Sequence, residues 1–386
     1  MNGNPDIEKR KQKRKRRKNI ILAVVIFALI VSTSCTLYMN IDNPLLHNVF
    51  SGFGLDIMTD GNTVDFDKTE KYAIAGCDGD AIISRSNQTL CLDSNMNVLW
   101  SMDDNNTFPV VKSKDKYAIK YNFDGENAYI IKNGKTVELL TGNPVIGGTV
   151  NENGYSAVIT REKGYKSQVI VFSDEGEVLY KWHSADSYIT DVTISPDNRT
   201  LAVAAIDFST NTTSGELMFF NFYQEKPYAG KILENNMVLQ LEFTDKNSLL
   251  VVGDSAAIVY NATGEAKAEY AYDGKKLFNY DIGPDGSLVL AVSDSDSVMT
   301  GTQIKILSKK LKEKGTYSSG GSVTSIDAAD GSVLLVSDRT LSVISIRGNE
   351  IKKLDINKDV KDAILFGNGK DALITAGSMA EIVNLK

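Results

Sequence analysis

The stretch ITDVTISPDNRTLAVAAID, residues 189–207, decides the fold, because it contains an alternating strand, a tight turn and a second, more apolar strand. The turn residues Pro196-Asp197-Asn198 fix φ, offer side-chain hydrogen bonds and tolerate a positive φ. The same pattern recurs in VLQLEFTDKNSLLVVGD (238–254), LFNYDIGPDGSLVLAVSD (277–294), VTSIDAADGSVLLVSD (323–338) and VKDAILFGNGKDALITAG (360–377). The body of the chain is therefore a series of repeated β-hairpins.

A second hairpin follows the first in several units. It is seen in CLDSNMNVLW (91–100), VFSDEGEVLYKW (171–182) and VYNATGEAKAEY (259–270). Each unit then has four strands, and the units begin near Tyr72, Pro109, Val145, Ile189, Val238, Phe278, Val323 and Lys361, at spacings of about 36 to 49 residues. This period is typical of β-propeller blades and predicts an all-β propeller of eight four-stranded blades. Seven blades is the alternative, because the count is ambiguous around Asp103 to Ser113.

The last unit, Lys361 to Lys386, has room for only three strands. A fourth strand must come from elsewhere, and NTVDFD, residues 62–67, lies just before the first unit. We therefore expect a propeller over residues 62–386 that is closed by its N-terminal strand. Closure of this kind removes the exposed sheet edges that would otherwise pair with other chains.

The hairpin around Leu92-Asp93 and Leu99-Trp100 is similar to the quinoprotein repeat, although Met96 or Asn97 stands where that repeat has glycine. The blade pattern as a whole resembles quinoprotein-like and WD-like (WD40-type) propellers. Only two tryptophans occur, so the tryptophan-docking ring of quinoprotein dehydrogenases is missing, and no Gly-His or Trp-Asp dipeptide supports a true WD repeat. The resemblance implies an architecture and a binding role, and it carries over no catalytic or cofactor residue.

The N-terminal region has the composition of a membrane anchor. Residues 1–18 carry nine Lys/Arg and two acidic residues, a balance of +7 against −14 for the rest of the chain. Ile20 to Met39 is uncharged, and twenty helical residues span roughly 30 Å, the thickness of a bilayer's hydrocarbon core. The positive-inside rule predicts a basic cytoplasmic tail (1–18), one transmembrane helix (19–41) that contacts the lipid bilayer of the cell membrane, and an extracytoplasmic body.

Two other interpretations of this region place the body in the same compartment. The apolar run before Ser32-Thr33-Ser34 also resembles a cleaved secretory signal, and Cys35 could accept a lipid. Apolar residues resume with Leu37 and Tyr38, which favours an uncleaved anchor followed by a tether over residues 42–61. Basic tail, single span and outer propeller together resemble an uncharacterised bacterial family of single-pass, membrane-anchored propeller proteins.

Residues for metal or nucleophile chemistry are sparse. The chain has two histidines, His47 in the tether and His183 at a blade edge, so the sequence predicts no multi-histidine metal site, and a Ser-His-Asp triad could only use His183. Cys77 and Cys91 fall on non-neighbouring strands, which favours two free, apolar-like cysteines over a disulfide.

Acidic pairs are the remaining candidates for a site. None has the spacing of a calcium loop, so we interpret all of them as solvated loop charge: Asp78 with Asp80, Asp103 with Asp104, and Asp294 with Asp296. The sequence therefore predicts no catalytic, cofactor-binding or metal-binding residue, and no cofactor.

These patterns predict a membrane-anchored, extracytoplasmic binding or scaffolding module without enzymatic activity. Its partner is expected to be a protein, a peptide or an envelope polymer. The basic residues are concentrated beside the apolar segment and the body is acidic, so no nucleic acid is expected. The alternative is a propeller-type glycan hydrolase or lyase, which would use carboxylates converging within about 5 to 10 Å in the central funnel.

Overall fold

A computed structural model describes residues 63–67, 69–208, 214–294, 301–329 and 331–385. These residues form 32 strands in eight four-stranded antiparallel sheets. The prediction of an all-β propeller with eight blades is confirmed, and the seven-blade alternative is wrong. Within the ambiguous region from Asp103 to Ser113, one blade ends at Asp103 and the next begins at Pro109, so the connection between the two blades is short.

The predicted tail (1–18), transmembrane helix (19–41) and tether (42–61) lie outside the described residues. In the part of the chain that the structure does describe, no helix reaches the length and apolarity needed to span a bilayer.

The first four blades follow one another along the chain. Blade 1 contains β2 (Ala73–Cys77), β3 (Asp80–Ser84), β4 (Gln88–Leu92) and β5 (Val98–Asp103); blade 2 contains β6 (Pro109–Lys114), β7 (Tyr117–Asn122), β8 (Asn127–Lys132) and β9 (Lys135–Leu140); blade 3 contains β10 (Val145–Val150), β11 (Ser156–Thr160), β12 (Ser167–Phe172) and β13 (Val178–Ser184); blade 4 contains β14 (Tyr188–Ile194), β15 (Thr200–Asp207), β16 (Ser214–Asn221) and β17 (Ala229–Leu233).

The other four blades complete the ring. Blade 5 contains β18 (Val238–Asp245), β19 (Ser248–Gly253), β20 (Ala256–Asn261) and β21 (Ala266–Ala271); blade 6 contains β22 (Lys276–Ile282), β23 (Leu288–Ser293), β24 (Thr302–Leu307) and β25 (Glu313–Ser319); blade 7 contains β26 (Val323–Ala329), β27 (Ser332–Ser337), β28 (Thr340–Ser345) and β29 (Glu350–Asp355); blade 8 contains β30 (Val360–Leu365), β31 (Asp371–Ala376), β32 (Met379–Asn384) and β1 (Thr63–Asp65).

Blade 8 takes its outer strand from the N-terminal side of the propeller. Strand β1 pairs with β32 in antiparallel register, with Val64 opposite Ala380. The Phe66 ring, which follows β1, stacks on Tyr72 with centroids 4.5 Å apart, and Tyr72 Oη donates a hydrogen bond to Thr375 Oγ1. The first and last parts of the propeller are thus joined in one sheet.

Position within a blade decides the side-chain pattern. The second strands are buried on both faces because a neighbouring blade covers each face, and Leu201 to Ile206 of β15 are all buried. The fourth strands face solvent and alternate, as in the AKAEYA sequence of β21. Turns between first and second strands use the predicted chemistry, since Asn198 and Gly286 have φ of 57° and 76°.

The core of the propeller lies between adjacent blades. Between blades 3 and 4, the described residues include thirteen buried apolar side chains, whereas the cluster between blades 1 and 2 has five. We call these contacts the blade 3/4 interface and the blade 1/2 interface.

Both cysteines of the body are free, as predicted. They lie on β2 and β4, which flank β3 in one sheet. Strands two positions apart are separated by about 9.5 Å, beyond the Cα separation of about 4.4 to 6.8 Å that a disulfide requires.

Candidate functional site

The first strands of the blades enclose a central funnel of about 950 Å³. The funnel is lined by turns between first and second strands, among them Asp78–Asp80 of blade 1, Asp115 of blade 2, Pro284 of blade 6 and Gly367 of blade 8. We call the end of the propeller that carries these turns the first-turn face.

Carboxylates of first strands line one side of the funnel. Asp191 belongs to blade 4, and the others follow in order around the ring: Glu242, Asp281, Asp327 and Asp362. The first strand of each blade has a free edge, whose amides need acceptors. Three of the carboxylates serve this purpose across blade boundaries, accepting hydrogen bonds from the backbone N–H groups of Leu241 (2.7 Å to Asp191), Ala328 (2.7 Å to Asp281) and Leu365 (2.6 Å to Asp327).

Two lysines enter the funnel from blade 2. Lys112 Nζ lies 3.8 Å from a carboxylate oxygen of Asp191 in blade 4, and Lys114 forms an ion pair and hydrogen bond with Glu242 of blade 5. Because these partners belong to blades that are not neighbours, the ion pairs span the funnel. They neutralise part of its acidic wall and connect blades that share no sheet.

Burial shifts the acidity of the funnel carboxyls. It raises the pKa of Asp281 to about 7, with the nearby Asp327 charge as a further cause, and it raises the pKa of Asp327 to about 6. Burial also raises the pKa of Asp191 and Glu242, against the opposing effect of Lys112 and Lys114. The funnel therefore changes its charge near neutral pH.

A smaller cleft of about 250 Å³ lies at the blade 1/2 interface. Its walls include the uncharged side chains of Ile82, Cys91, Leu99, Trp100 and Ile131, together with the cationic Lys116. Since the funnel and the cleft share three lining residues, Cys77, Asp78 and Asp80, the two cavities adjoin at the first-turn face.

Both cleft cysteines are protonated at neutral pH. Burial raises the pKa of Cys77 to about 11 and that of Cys91 to about 12, and the nearby carboxylate of Asp80 contributes to both shifts. The thiol of Cys77 also lies 3.5 Å from the backbone oxygen of Asp115, to which it donates. The cleft thus presents two neutral thiols rather than reactive thiolates.

The acidic pairs of the sequence are dispersed in the structure. Asp78 and Asp80 lie where the funnel meets the cleft. Asp104 forms an ion pair with the buried Lys120, and Asp294 pairs with Lys275 at 2.9 Å. Asp296 lies outside the described residues. No three His, Cys, Asp or Glu side chains within the described ranges are grouped so as to hold a metal ion.

The histidines do not converge on a nucleophile. The His183 ring packs against the Tyr165 ring at a tilt of 35° with centroids 4.6 Å apart, and its Nε2 atom lies 2.6 Å from Nε2 of Gln168. His47 lies outside the described residues.

Sequence reasoning missed the funnel carboxylates. Glu242 and Asp327 stand three residues before Asp245 and Asp330 of the turn sequences, and Asp281 stands three residues before Pro284 of the turn sequence Pro284-Asp285-Gly286. Aligning the repeats on their turns would have revealed a column of acids in otherwise apolar-alternating strands. It would not have revealed the lysines that face them, because Lys114 and Glu242 are 128 residues apart.

Solved structures with this architecture share little sequence with the chain. The C-terminal WD40 domain of Sif2 superposes with a TM-score of 0.61 at 11% identity, covering 84% of this chain and 98% of that one. Sqt1 of Chaetomium thermophilum, bound to the N-terminus of ribosomal protein L10, gives 0.56 at 11%, covering 84% and 100%. BamB of Moraxella catarrhalis gives 0.50 at 10%, covering 84% and 96%. At these identities the similarity establishes the fold alone.

Searches by sequence give a more specific result. No curated protein matches the chain significantly. Residues 58–385, which span the whole described propeller, match one family of unknown function. The eight-bladed ring with its funnel and cleft is thus the structure of a member of that family, and the chain belongs to DUF5711.

Proposed function

We propose that the protein is a non-catalytic binding or scaffolding module whose first-turn face receives a protein, peptide or envelope ligand. The observation that carries the proposal is the junction of two cavities at this face, a charged funnel and an apolar cleft that share Asp78 and Asp80. Concave sites that combine apolar walls with a few polar groups are typical binding sites. The peptide-bound Sqt1 propeller, similar in fold, supports a protein or peptide ligand.

The proposal includes a location. Ile20 to Met39 would cross the cell membrane once, with the basic residues 1–18 in the cytoplasm and the propeller outside. A membrane-impermeant, lysine-reactive label applied to intact cells should modify Lys116, which is exposed on the first-turn face, and leave the lysines of the tail unmodified. Labelling of the tail in sealed cells would contradict this topology.

Photo-crosslinking in the native membrane tests the binding role. A photoreactive residue at position 116, on the first-turn face, should capture a partner. The same residue at position 181, on the solvent-facing strand β13, is the matched control and should not. Recovery of the uncrosslinked chain alone from position 116, or the same adducts from both positions, would contradict the proposed binding face.

A second candidate function is glycan cleavage in the funnel, by either a hydrolase or a lyase reaction. The observation that favours it is the raised pKa of Asp281 and Asp327, a property of general acids. Against it, each of these carboxylates already accepts a backbone hydrogen bond that joins two blades. Incubation with envelope glycans should release no new reducing or unsaturated ends. Product formation that is lost in both Asp281→Asn and Asp327→Asn would establish the enzyme instead.

A further inference from the structure

We propose that the ligand of the first-turn face is an extended peptide that places an apolar side chain in the cleft and a lysine or arginine beside Asp78 and Asp80. This inference rests on the proposed binding role and adds the chemistry of the ligand. Its support comes from the shape of the cleft, the uncharged state of its cysteines, and the charge at its rim.

One repeated position that lines the cleft carries a smaller side chain in blade 1. In five blades, a third-strand residue faces the fourth strand just before a bulge in their pairing: Cys91 in blade 1, Val171 in blade 3, Val259 in blade 5, Ile306 in blade 6 and Val343 in blade 7. Valine or isoleucine at this position packs into the next interface. The cysteine of blade 1 fills less of that space.

Trp100, opposite Cys91, is directed toward the backbone of blade 2. A Cβ atom added at Gly134 would lie 2.8 Å from Trp100 Cβ, so the tryptophan packs directly on this glycine turn. The remaining volume is about 250 Å³. An engineered cavity of about 150 Å³ binds benzene, so the cleft has room for a side chain as large as phenylalanine.

The walls select an apolar group. Ile82 and Ile131 are buried, Leu99 is 51% exposed at the edge, and the thiols of Cys77 and Cys91 are neutral at physiological pH. An aliphatic or aromatic side chain would remove this surface from water without leaving a buried charge unpaired.

The rim selects a cation. Asp78, Asp80 and Asp115 all act on the nearby Cys77 thiol, and no ion pair joins any of them to a cation among the described residues. The funnel lysines that could neutralise them, Lys112 and Lys114, are held by Asp191 and Glu242. Lys116, which also lines the cleft, can offset one of these three negative charges, so the rim keeps an excess of negative charge that complements a basic group.

An extended peptide meets both requirements at once. Its side chains i and i+2 point the same way and lie about 6.5 to 7 Å apart, so one can enter the cleft while the next contacts the acidic rim. The cavities share their rim residues, which keeps the two contacts within this reach.

Selection from a random heptapeptide library, with the full-length protein in nanodiscs, tests the proposal. We expect enrichment of peptides with an aromatic or aliphatic residue two positions from Lys or Arg. The most enriched peptide should bind at least tenfold more weakly to Cys91→Ile, which narrows the cleft at the position that the apolar side chain would occupy. Val171→Ile, which introduces the same side chain at the equivalent register position of blade 3, is the matched control and should bind like the wild type.

A second variant separates recognition from folding. Asp80→Asn removes rim charge without adding volume to the cleft, and should weaken binding severalfold and reduce its salt dependence. The proposal is overturned by enrichment of acidic peptides, by no enrichment, or by equal binding to Cys91→Ile and Val171→Ile. If crosslinking at position 116 still captures a partner, and Cys91→Ile captures it equally, the binding role stands and the peptide chemistry does not.

Discussion

The blade 1/2 and blade 3/4 interfaces share one strand register and differ in the side chains that fill it. Cys91 lies opposite Trp100 in blade 1, and Val171 lies opposite Tyr180 in blade 3. At the blade 3/4 interface the Trp182 and Tyr180 rings pack on the Phe220 ring, with centroids 4.8 and 6.3 Å away. At the blade 1/2 interface Trp100 meets a glycine turn instead, and a cleft remains.

The difference shows how a repeat protein can carry a local site. The repeated backbone decides which positions face the neighbouring blade, and the volume at those positions decides whether the interface closes. Closed interfaces hold the ring together, so an interface with small side chains can serve binding while the other interfaces maintain the fold.

The largest expected effect comes from truncating the well-filled interface. Phe220 is fully buried, so Phe220→Ala should lower the free energy of unfolding by about 3 to 5 kcal/mol. Cys91→Ala, beside an existing cleft, should cost about 1 kcal/mol or less. Urea denaturation of the full-length protein in detergent measures both.

The two tryptophans of the chain report on the two interfaces separately, because Trp182 lies at blade 3/4 and Trp100 at blade 1/2. In a Trp100→Phe background, Trp182 fluorescence should report the loss of unfolding free energy that Phe220→Ala causes. Equal destabilisation by Phe220→Ala and Cys91→Ala would show that the blade 1/2 interface is as tightly filled as the other.

Much of the ring could be predicted from the sequence because its signals are local. Alternation and turn residues identified all eight first strands, and β30 to β32 do leave blade 8 one strand short. The segment 62–67, which the strand count singled out as a donor, is where β1 lies. These features depend on neighbours along the chain, and a single sequence contains them.

The site depended on packing between distant residues. Nothing in the sequence near Lys114 indicates that it will meet Glu242 across the funnel, and Asp78 and Asp80 were interpreted as loop charge without the cleft that adjoins them. The aligned hairpins show Cys91 where other blades have valine or isoleucine. The effect of this smaller side chain on the volume of the interface can be judged only from the structure of the blade 1/2 interface.

The hydrogen bonds that join the first strands of adjacent blades differ in their titratable groups, so we expect a second effect on stability, of intermediate size, that depends on pH. Blades 6 and 7 are joined at their first strands by a hydrogen bond from the Ala328 N–H group to the carboxyl group of Asp281. Blades 1 and 2 are joined there by a hydrogen bond between neutral groups, in which Ser113 Oγ donates to Gly76 O. Burial raises the pKa of Asp281 from 3.8 to about 7. Between these pH values the unfolded chain releases a proton that the folded chain keeps, so stability should fall as pH rises from about 4 to about 7.

Asp281→Asn retains an oxygen acceptor for Ala328 N–H and removes this titration. Calorimetry should show a smaller drop in Tm between pH 5 and pH 8 for this variant than for the wild type. At pH 8 the free energy of unfolding of the variant should exceed that of the wild type by on the order of 1.4 kcal/mol for each unit by which folding raises the pKa of Asp281. Ser113→Ala should shift Tm equally at both pH values, and Asp355→Asn, at an exposed position of β29, should leave the slope unchanged. An unchanged slope in Asp281→Asn would contradict the raised pKa of Asp281 as the cause of the pH dependence.

The smallest expected effect comes from introducing isoleucine at the equivalent position of the two interfaces. Cys91→Ile adds atoms to a cleft with room for them, and each buried methylene contributes about 0.8 kcal/mol, so stability should stay level or rise by about 1 kcal/mol. Val171→Ile adds one methylene where Val171 is fully buried, and overpacking should lower stability by about 1 kcal/mol or more. Opposite signs in urea denaturation would show that side-chain volume, rather than the shared backbone register, separates the open interface from the closed one; a loss at both positions would mean that the cleft has no room to fill.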